Sequence, residues 1–105
     1  MNIEKLFSKY NKKHFDSVLV IPQFREINDP DLRGYFMGVA WEDKPDNTIA
    51  INYKHRDHKN KKRLKETLLH EMVHQYQFHF GMKINHGKYF KKWVKYFSNL
   101  GYKIV

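Results

Sequence analysis

The sequence predicts an α+β fold: an N-terminal helix, a small three-stranded antiparallel sheet, a long second helix and a C-terminal helix. Three observations predict it. Apolar residues recur at helical spacing near both ends of the chain. Short β-branched and alternating runs are confined to residues 18–53. A long amphipathic segment then runs up to Gly81, a residue suited to ending a helix. At 105 residues the chain has room for one domain with a modest core, read here as spanning 1–105.

The elements follow in order. Ile3 to about Phe15 reads as a helix, with Ile3, Leu6, Phe7 and Tyr10 on one face and lysines on the other. Val18-Leu19-Val20-Ile21 reads as a short strand stopped by Pro22, and Asn28-Asp29-Pro30-Asp31 as a turn. Tyr35 to Trp41 is a second strand. Glu42 to Asn47 carries the residues of a hairpin connection, and Thr48 to Tyr53 alternates as a third strand. Three strands in succession imply an antiparallel sheet.

A basic stretch from Lys54 to Lys65 leads into the principal helix, Lys61 to Phe80, with Gly81 at its C′ position. Leu69, Met72, Val73, Tyr76 and Phe80 form its apolar stripe. The last helix runs from about Gly87 to Leu100 with Phe90, Trp93, Val94 and Phe97 facing the core, and Gly101 ends it. Tyr102 to Val105 is a tail or a terminal strand.

Composition excludes several chemistries. The chain has no cysteine, which removes disulfides, thiolate metal sites and a Cys nucleophile together. No run approaches membrane-spanning length and no apolar segment follows the N-terminal charges. The expectation is a cytoplasmic monomer, with nucleoid association open to it. Charge is uneven: residues 1–53 carry seven Lys/Arg against eight Asp/Glu, and residues 54–105 thirteen against three. The halves therefore differ as −1 and +10. A basic second half favours polyanions, with Lys59, Lys61, Lys62, Arg63, Lys65, Lys88, Lys91, Lys92 and Lys95 the candidate phosphate contacts.

His70-Glu71-Met72-Val73-His74 lies inside the principal helix. Positions i and i+4 stack on one helix face, so both imidazoles can reach one Zn²⁺. Glu71 sits one residue round the same turn, placed to take a proton from a water activated by the metal. With seven His and five Glu in the chain, a chance H-E-x-x-H is about a 2% event, so a third ligand is needed to support the reading. Glu71 is the last acidic residue, which leaves only His79 and His86 downstream. A helix continuing to Phe80 turns His79 about 140° away from His74. It also lacks the glycine and the spacing of H-E-x-x-H-x-x-G-x-x-H. His86 lies beyond the Gly81 break, where a loop can return it to His70 and His74, and it is the preferred third ligand.

His70-Glu71-x-x-His74 followed by His86-Gly87-x-x-Phe90 resembles the SprT-like metalloprotease domain. Tyr10 to Leu19 is similar to that family's opening, and Ile49 to Asn52 to its strand before the catalytic helix. The resemblance implies a minimal zincin-like domain with one catalytic Zn²⁺ held by His70, His74 and His86, and Glu71 as general base. It implies peptide hydrolysis, and the better-known eukaryotic members act on proteins crosslinked to DNA. Many members carry a C-terminal cysteine zinc ribbon, and these 105 residues contain no cysteine for one.

The expected partners are thus a protein or peptide substrate and DNA, with no membrane. The strand Thr48 to Tyr53 is expected to offer its edge to substrate main chain. Tyr53 and Tyr89 are candidates for steadying the oxyanion, with aromatic packing the competing account. Two other classes remain. One is a nucleic-acid-binding module with a structural zinc and no protease activity, and the other a metal-free interaction protein. Glu71 discriminates against the first, because a structural site has no use for a general base.

Overall fold

A computed structural model describes residues 2–40 and 45–105. Helix α1 spans Ile3–His14 and strand β1 Gln23–Glu26, followed by β2 (Gly34–Ala40) and β3 (Pro45–Ile51). A short 3-10 helix, Arg56–Lys59, precedes α2 (Lys61–His79), and α3 spans Lys88–Asn99. The α+β class holds. Among the described residues no helix is long and apolar enough to cross a membrane.

Local chemistry sets the helix ends. The Asn2 side chain caps α1 by accepting from Lys5 N at 3.1 Å, and Glu4 in its first turn and Lys12, Lys13 and His14 in its last suit the helix dipole. Phe15 is its C-cap, and Asp16 and Ser17 follow with φ of 51° and 59° to turn the chain sharply. Asn60 caps α2 from Lys62 N at 3.0 Å. At its other end Gly81, with φ +66°, donates to Phe78 O and Met82 donates to Gln77 O, the paired bonds of a Schellman stop. Gly101 at φ +88° ends α3 through the same pair of bonds, Gly101 N to Ser98 O and Tyr102 N to Phe97 O.

The sheet corrects the expectation in three ways. Its order is β1-β3-β2, with β1 parallel to β3 and β2 antiparallel to it, so it is mixed rather than antiparallel. Gln23 pairs with Thr48 and Glu26 with Ile51, while the β2–β3 hairpin pairs Gly34 with Ile51 and Ala40 with Pro45. The hairpin inserts β3 beside β1, and the strand expected at an edge lies in the centre. Ile49, Ala50 and Ile51 are accordingly fully buried. Pro45, Asp46 and Asn47 belong to β3 and not to the connection, while Trp41 and the expected turn residues 42–44 lie outside the described residues.

Val18–Ile21 is not a strand; the first strand begins after Pro22. Side chains replace a strand partner there. Asn11 accepts from Leu19 N at 3.1 Å and donates to Leu19 O at 2.7 Å, and Gln75 donates to Val20 O at 2.7 Å. The main-chain groups are satisfied without a ladder, which is all that burial demands of them. Residues 102–105 likewise form no strand.

Helix α2 is the centre of the molecule, and its burial exceeds a single stripe. Leu68, Leu69, Met72 and Val73 are fully buried, and so nearly are Glu66, Thr67, Glu71, His74, Gln75 and Gln77. Phe80, expected in the stripe, is 52% exposed because the chain turns away at Gly81. Most of the buried polar groups have partners. Thr67 Oγ1 lies 2.7 Å from His58 Nε2, whose Nδ1 donates to Asn52 O at 2.6 Å. Asn52 in turn donates to Asp29 O and Leu32 O, tying the loop before β2 to the start of α2. Glu66 Oε2 accepts from Lys103 N at 2.6 Å. These bonds hold the sheet, the loop and the chain's last residues against one helix.

Candidate metal centre

His70 and His74 stand one turn apart on α2, and the loop after the Gly81 stop brings His86 back over them. His74 Nε2 lies 3.2 Å from His70 Nε2 and 3.1 Å from His86 Nε2. The three rings share a floor. The Phe90 ring centroid is 4.9, 5.0 and 4.5 Å from those of His70, His74 and His86, and the ring stacks on His74 at 20°. Phe90 lies in the first turn of α3, so its contact holds the N-terminus of that helix, and the His86 loop, against α2.

The protons on these rings can be assigned from their partners. His70 Nδ1 faces the carbonyl of Ile104, which can only accept, so that nitrogen carries the hydrogen. His74 Nδ1 lies 2.9 Å from Gln77 Oε1, again an acceptor. Both Nε2 atoms are therefore left as lone pairs pointing at one another. Two lone pairs at 3.2 Å repel unless a cation lies between them. Burial lowers His70 from 6.5 to about 4, against the raising effect of the Ile104 bond, with His74, His86 and Arg33 lowering it further. Burial also lowers His74, offset in part by Gln77. Both rings are neutral at pH 7, the form that binds metal.

The geometry fits an ion. Nitrogens bound tetrahedrally at about 2.0–2.1 Å lie about 3.3–3.4 Å apart, close to the separations found. His70, His74 and His86 can together hold a metal ion. His86 is exposed and His70 half-buried, so the site opens to solvent on one side, as a catalytic rather than a closed site requires.

Glu71 is 6% exposed, and no hydrogen bond to its carboxyl is found among the described residues. Burial alone raises it from 4.5 to about 8. It lines, with His70, a cleft of about 600 Å³ bounded by Arg33 and Gly34 before and at the start of β2, by Glu66 and Thr67 on α2, and by residues 103–105. A largely buried acid that lines this cleft one position from His70 is a candidate functional group. Arg33 is held at the rim by Asp57, with Nε and Nη2 each 2.9 Å from Oδ2.

The other residues singled out in the sequence are placed elsewhere. His79 is exposed, its ring against Phe80, outside the histidine cluster. Tyr53 packs half-buried on the core near Glu26, Tyr89 is 56% exposed beneath Lys92, and neither lines the cleft. Lys59 and Arg63 share a hollow with Arg33 and Arg56 beside the start of α2. Lys61, Lys62 and Lys65 stand on the first turns of α2, and Lys88, Lys91, Lys92 and Lys95 on the exposed side of α3.

Sequence reasoning missed the groups that hydrogen-bond the candidate ligands: Gln77 for His74, the Ile104 carbonyl for His70, and Glu66, which holds Lys103 beside it. Gln77 had a signal, since it follows His74 by three residues and so lies on the same face. Ile104 had none, because its part is played by a backbone atom 34 residues away.

The sequence model of the SprT-like family matches residues 3–104. No curated protein matches the chain.

Proposed function

The chain belongs to the SprT-like family, and on that premise, with the geometry of the histidine cluster, we propose that it is a zinc-dependent metalloprotease. The observation that carries the reading is the convergence of three Nε2 atoms beside Glu71, an acid on the same helix with no hydrogen-bond partner among the described residues. His70, His74 and His86 would hold Zn²⁺ through Nε2. Bound there, the ion would supply Lewis acidity and bring a water's pKa to about 7. Glu71 would accept the proton of the water that attacks the scissile carbonyl, and return it to the leaving amine. Burial raises Glu71 in the metal-free protein, and a cation beside it would lower it again and leave the carboxylate ionised to accept a proton.

An uncovered strand edge supports a mode of binding for substrate main chain. β3 is flanked on both sides, but β2 is an edge strand that runs along α2, with Phe36 against Phe78. An extended peptide adding to β2 enters the site in a way that tolerates many sequences. The hollow formed by Arg33, Arg56, Lys59 and Arg63 is contiguous with the cleft through their shared residues and supports an extension of the reading to substrates carried on DNA. The same hollow favours the competing reading, a nucleic-acid-binding module with a structural zinc. Glu71 separates the two.

The test pairs metal analysis with proteolysis. Wild type should bind one equivalent of zinc and cleave an unstructured protein, assayed with and without single-stranded DNA. Glu71→Gln should keep the zinc and lose the cleavage. Zinc well below one equivalent overturns the site, and full activity in Glu71→Gln overturns the mechanism.

A further inference from the structure

One buried amide touches both elements that carry the histidines, α2 and the loop before α3. Gln77 is 1% exposed; its Oε1 lies 2.9 Å from His74 Nδ1 and its Nε2 donates to Asn85 O at 3.0 Å. We infer that Gln77 is a positioning residue that sets two metal ligands at once, His74 on the helix and His86 on the loop.

The orientation of the amide follows from its partners. His74 turns Nε2 toward His70 and His86, so its Nδ1 bears the hydrogen and requires an acceptor. Gln77 Oε1 is that acceptor, three residues on and on the same face. With the oxygen committed, the NH₂ group faces the loop, where the Asn85 carbonyl can only accept. The match is complete without a choice of flip.

Asn85 immediately precedes His86, and its own Oδ1 accepts from Gly87 N at 3.0 Å. The backbone on either side of His86 is thus held, by Gln77 on one side and by Asn85 on the other. His86 itself is exposed, and among the described residues its ring makes no hydrogen bond to a non-ligand group. Its position therefore rests on Phe90 beneath it and on the loop. A carboxylate at position 77 keeps the acceptor for His74 and loses the donor for Asn85. A thioether of the same length keeps neither.

The inference rests on the metal-binding part of the reading above and not on proteolysis. Zinc affinity is measured by chelator competition at pH 8 on the full chain, for wild type, Gln77→Met and Gln77→Glu, each also carrying His86→Ala, with circular dichroism of the metal-free forms as the folding control. Gln77→Met should lower the affinity roughly 10–100-fold, as loss of an outer-shell partner does, and Gln77→Glu should recover part of that loss. In the His86→Ala background the loop has no ligand to position. There Gln77→Glu should match its parent, while Gln77→Met still loses affinity through His74. The inference is overturned if Gln77→Met binds within twofold of wild type, or if Gln77→Glu loses as much without His86 as with it. Should Gln77→Met fail to fold, the Gln77→Glu pair decides alone. Wild type that binds no zinc overturns the metal site itself, whereas zinc binding indifferent to position 77 overturns this inference and leaves the metal site standing.

Discussion

His70 Nε2 and His74 Nε2 face each other at 3.2 Å while the Nδ1 of each is committed to an oxygen, Ile104 O for one and Gln77 Oε1 for the other. Two lone pairs held this close are relieved by a cation. Zinc should therefore stabilise the folded chain, with a midpoint that rises with free metal, since a ligand that binds only the native state adds RT ln(1 + [L]/Kd). Removing His86 leaves two ligands, and His86→Ala should weaken zinc by more than the roughly 10–100-fold that an outer-shell change costs. Thermal melts with and without chelator check both. An unchanged melting temperature on zinc removal would count against the site.

Glu71→Gln keeps the side chain's volume and removes its basicity. Peptide hydrolysis should fall roughly 10²–10⁴-fold, the range general-base catalysis supplies, with zinc content unchanged. Steady-state rates normalised to bound metal are the measurement, and a loss of zinc in parallel would assign Glu71 to metal binding instead.

The metal-free protein should be most stable close to pH 6.5, with stability falling on either side. His70 falls from 6.5 to about 4 on folding, and His74, His58 and His14 are lowered too, mainly by burial. These rings bind fewer protons folded than unfolded, so stability is lost as pH falls below 6.5. Glu71 has the opposite sign. Its carboxyl rises from 4.5 to about 8, so the folded state holds the extra proton and stability is lost as pH climbs toward 8. Glu71→Gln should abolish the alkaline decline, worth a few kcal/mol, and leave the acid side in place. Urea titrations across pH in the presence of chelator test this; an unaltered alkaline limb in the variant would refute the assignment.

Asn11→Ala should destabilise the fold by roughly 2–4 kcal/mol, because it strands the N–H and the carbonyl of Leu19 together. Asn11→Asp should recover only the bond from Leu19 N, since a carboxylate accepts and does not donate. Chemical denaturation at fixed zinc reads both, and a loss below about 1 kcal/mol for Asn11→Ala would show that water reaches these groups.

Much of the fold is legible locally. The helix ends lie where Asn2, Asn60, Gly81 and Gly101 put them, because capping and positive φ are properties of a residue and its near neighbours. The turn at Asn28–Asp31 follows from the same kind of chemistry. Val18–Ile21 misleads because β-branching reports a preference for extended backbone and not a partner. Asn11 and Gln75 supply the hydrogen bonds that a neighbouring strand would have made. Alternation in residues 48–53 marks a strand, but nothing in it says whether one flank or both are covered. That depends on where β1 and β2 dock.

The same division runs through the site. His70, Glu71 and His74 declare themselves by spacing, since a helix of 3.6 residues per turn puts i and i+4 on one face whatever surrounds it. With no acidic residue after Glu71, the sequence also narrows the third ligand to two histidines. What only the tertiary structure decides is how they are aimed: His86 carried back by the loop, Gln77 and Ile104 placing the ring protons, and Phe90 lying under all three rings. Those contacts join residues up to 34 positions apart through a backbone carbonyl, an amide and an aromatic face. Spacing along the chain encodes which side chains share a helix face, whereas orientation across elements is set by packing.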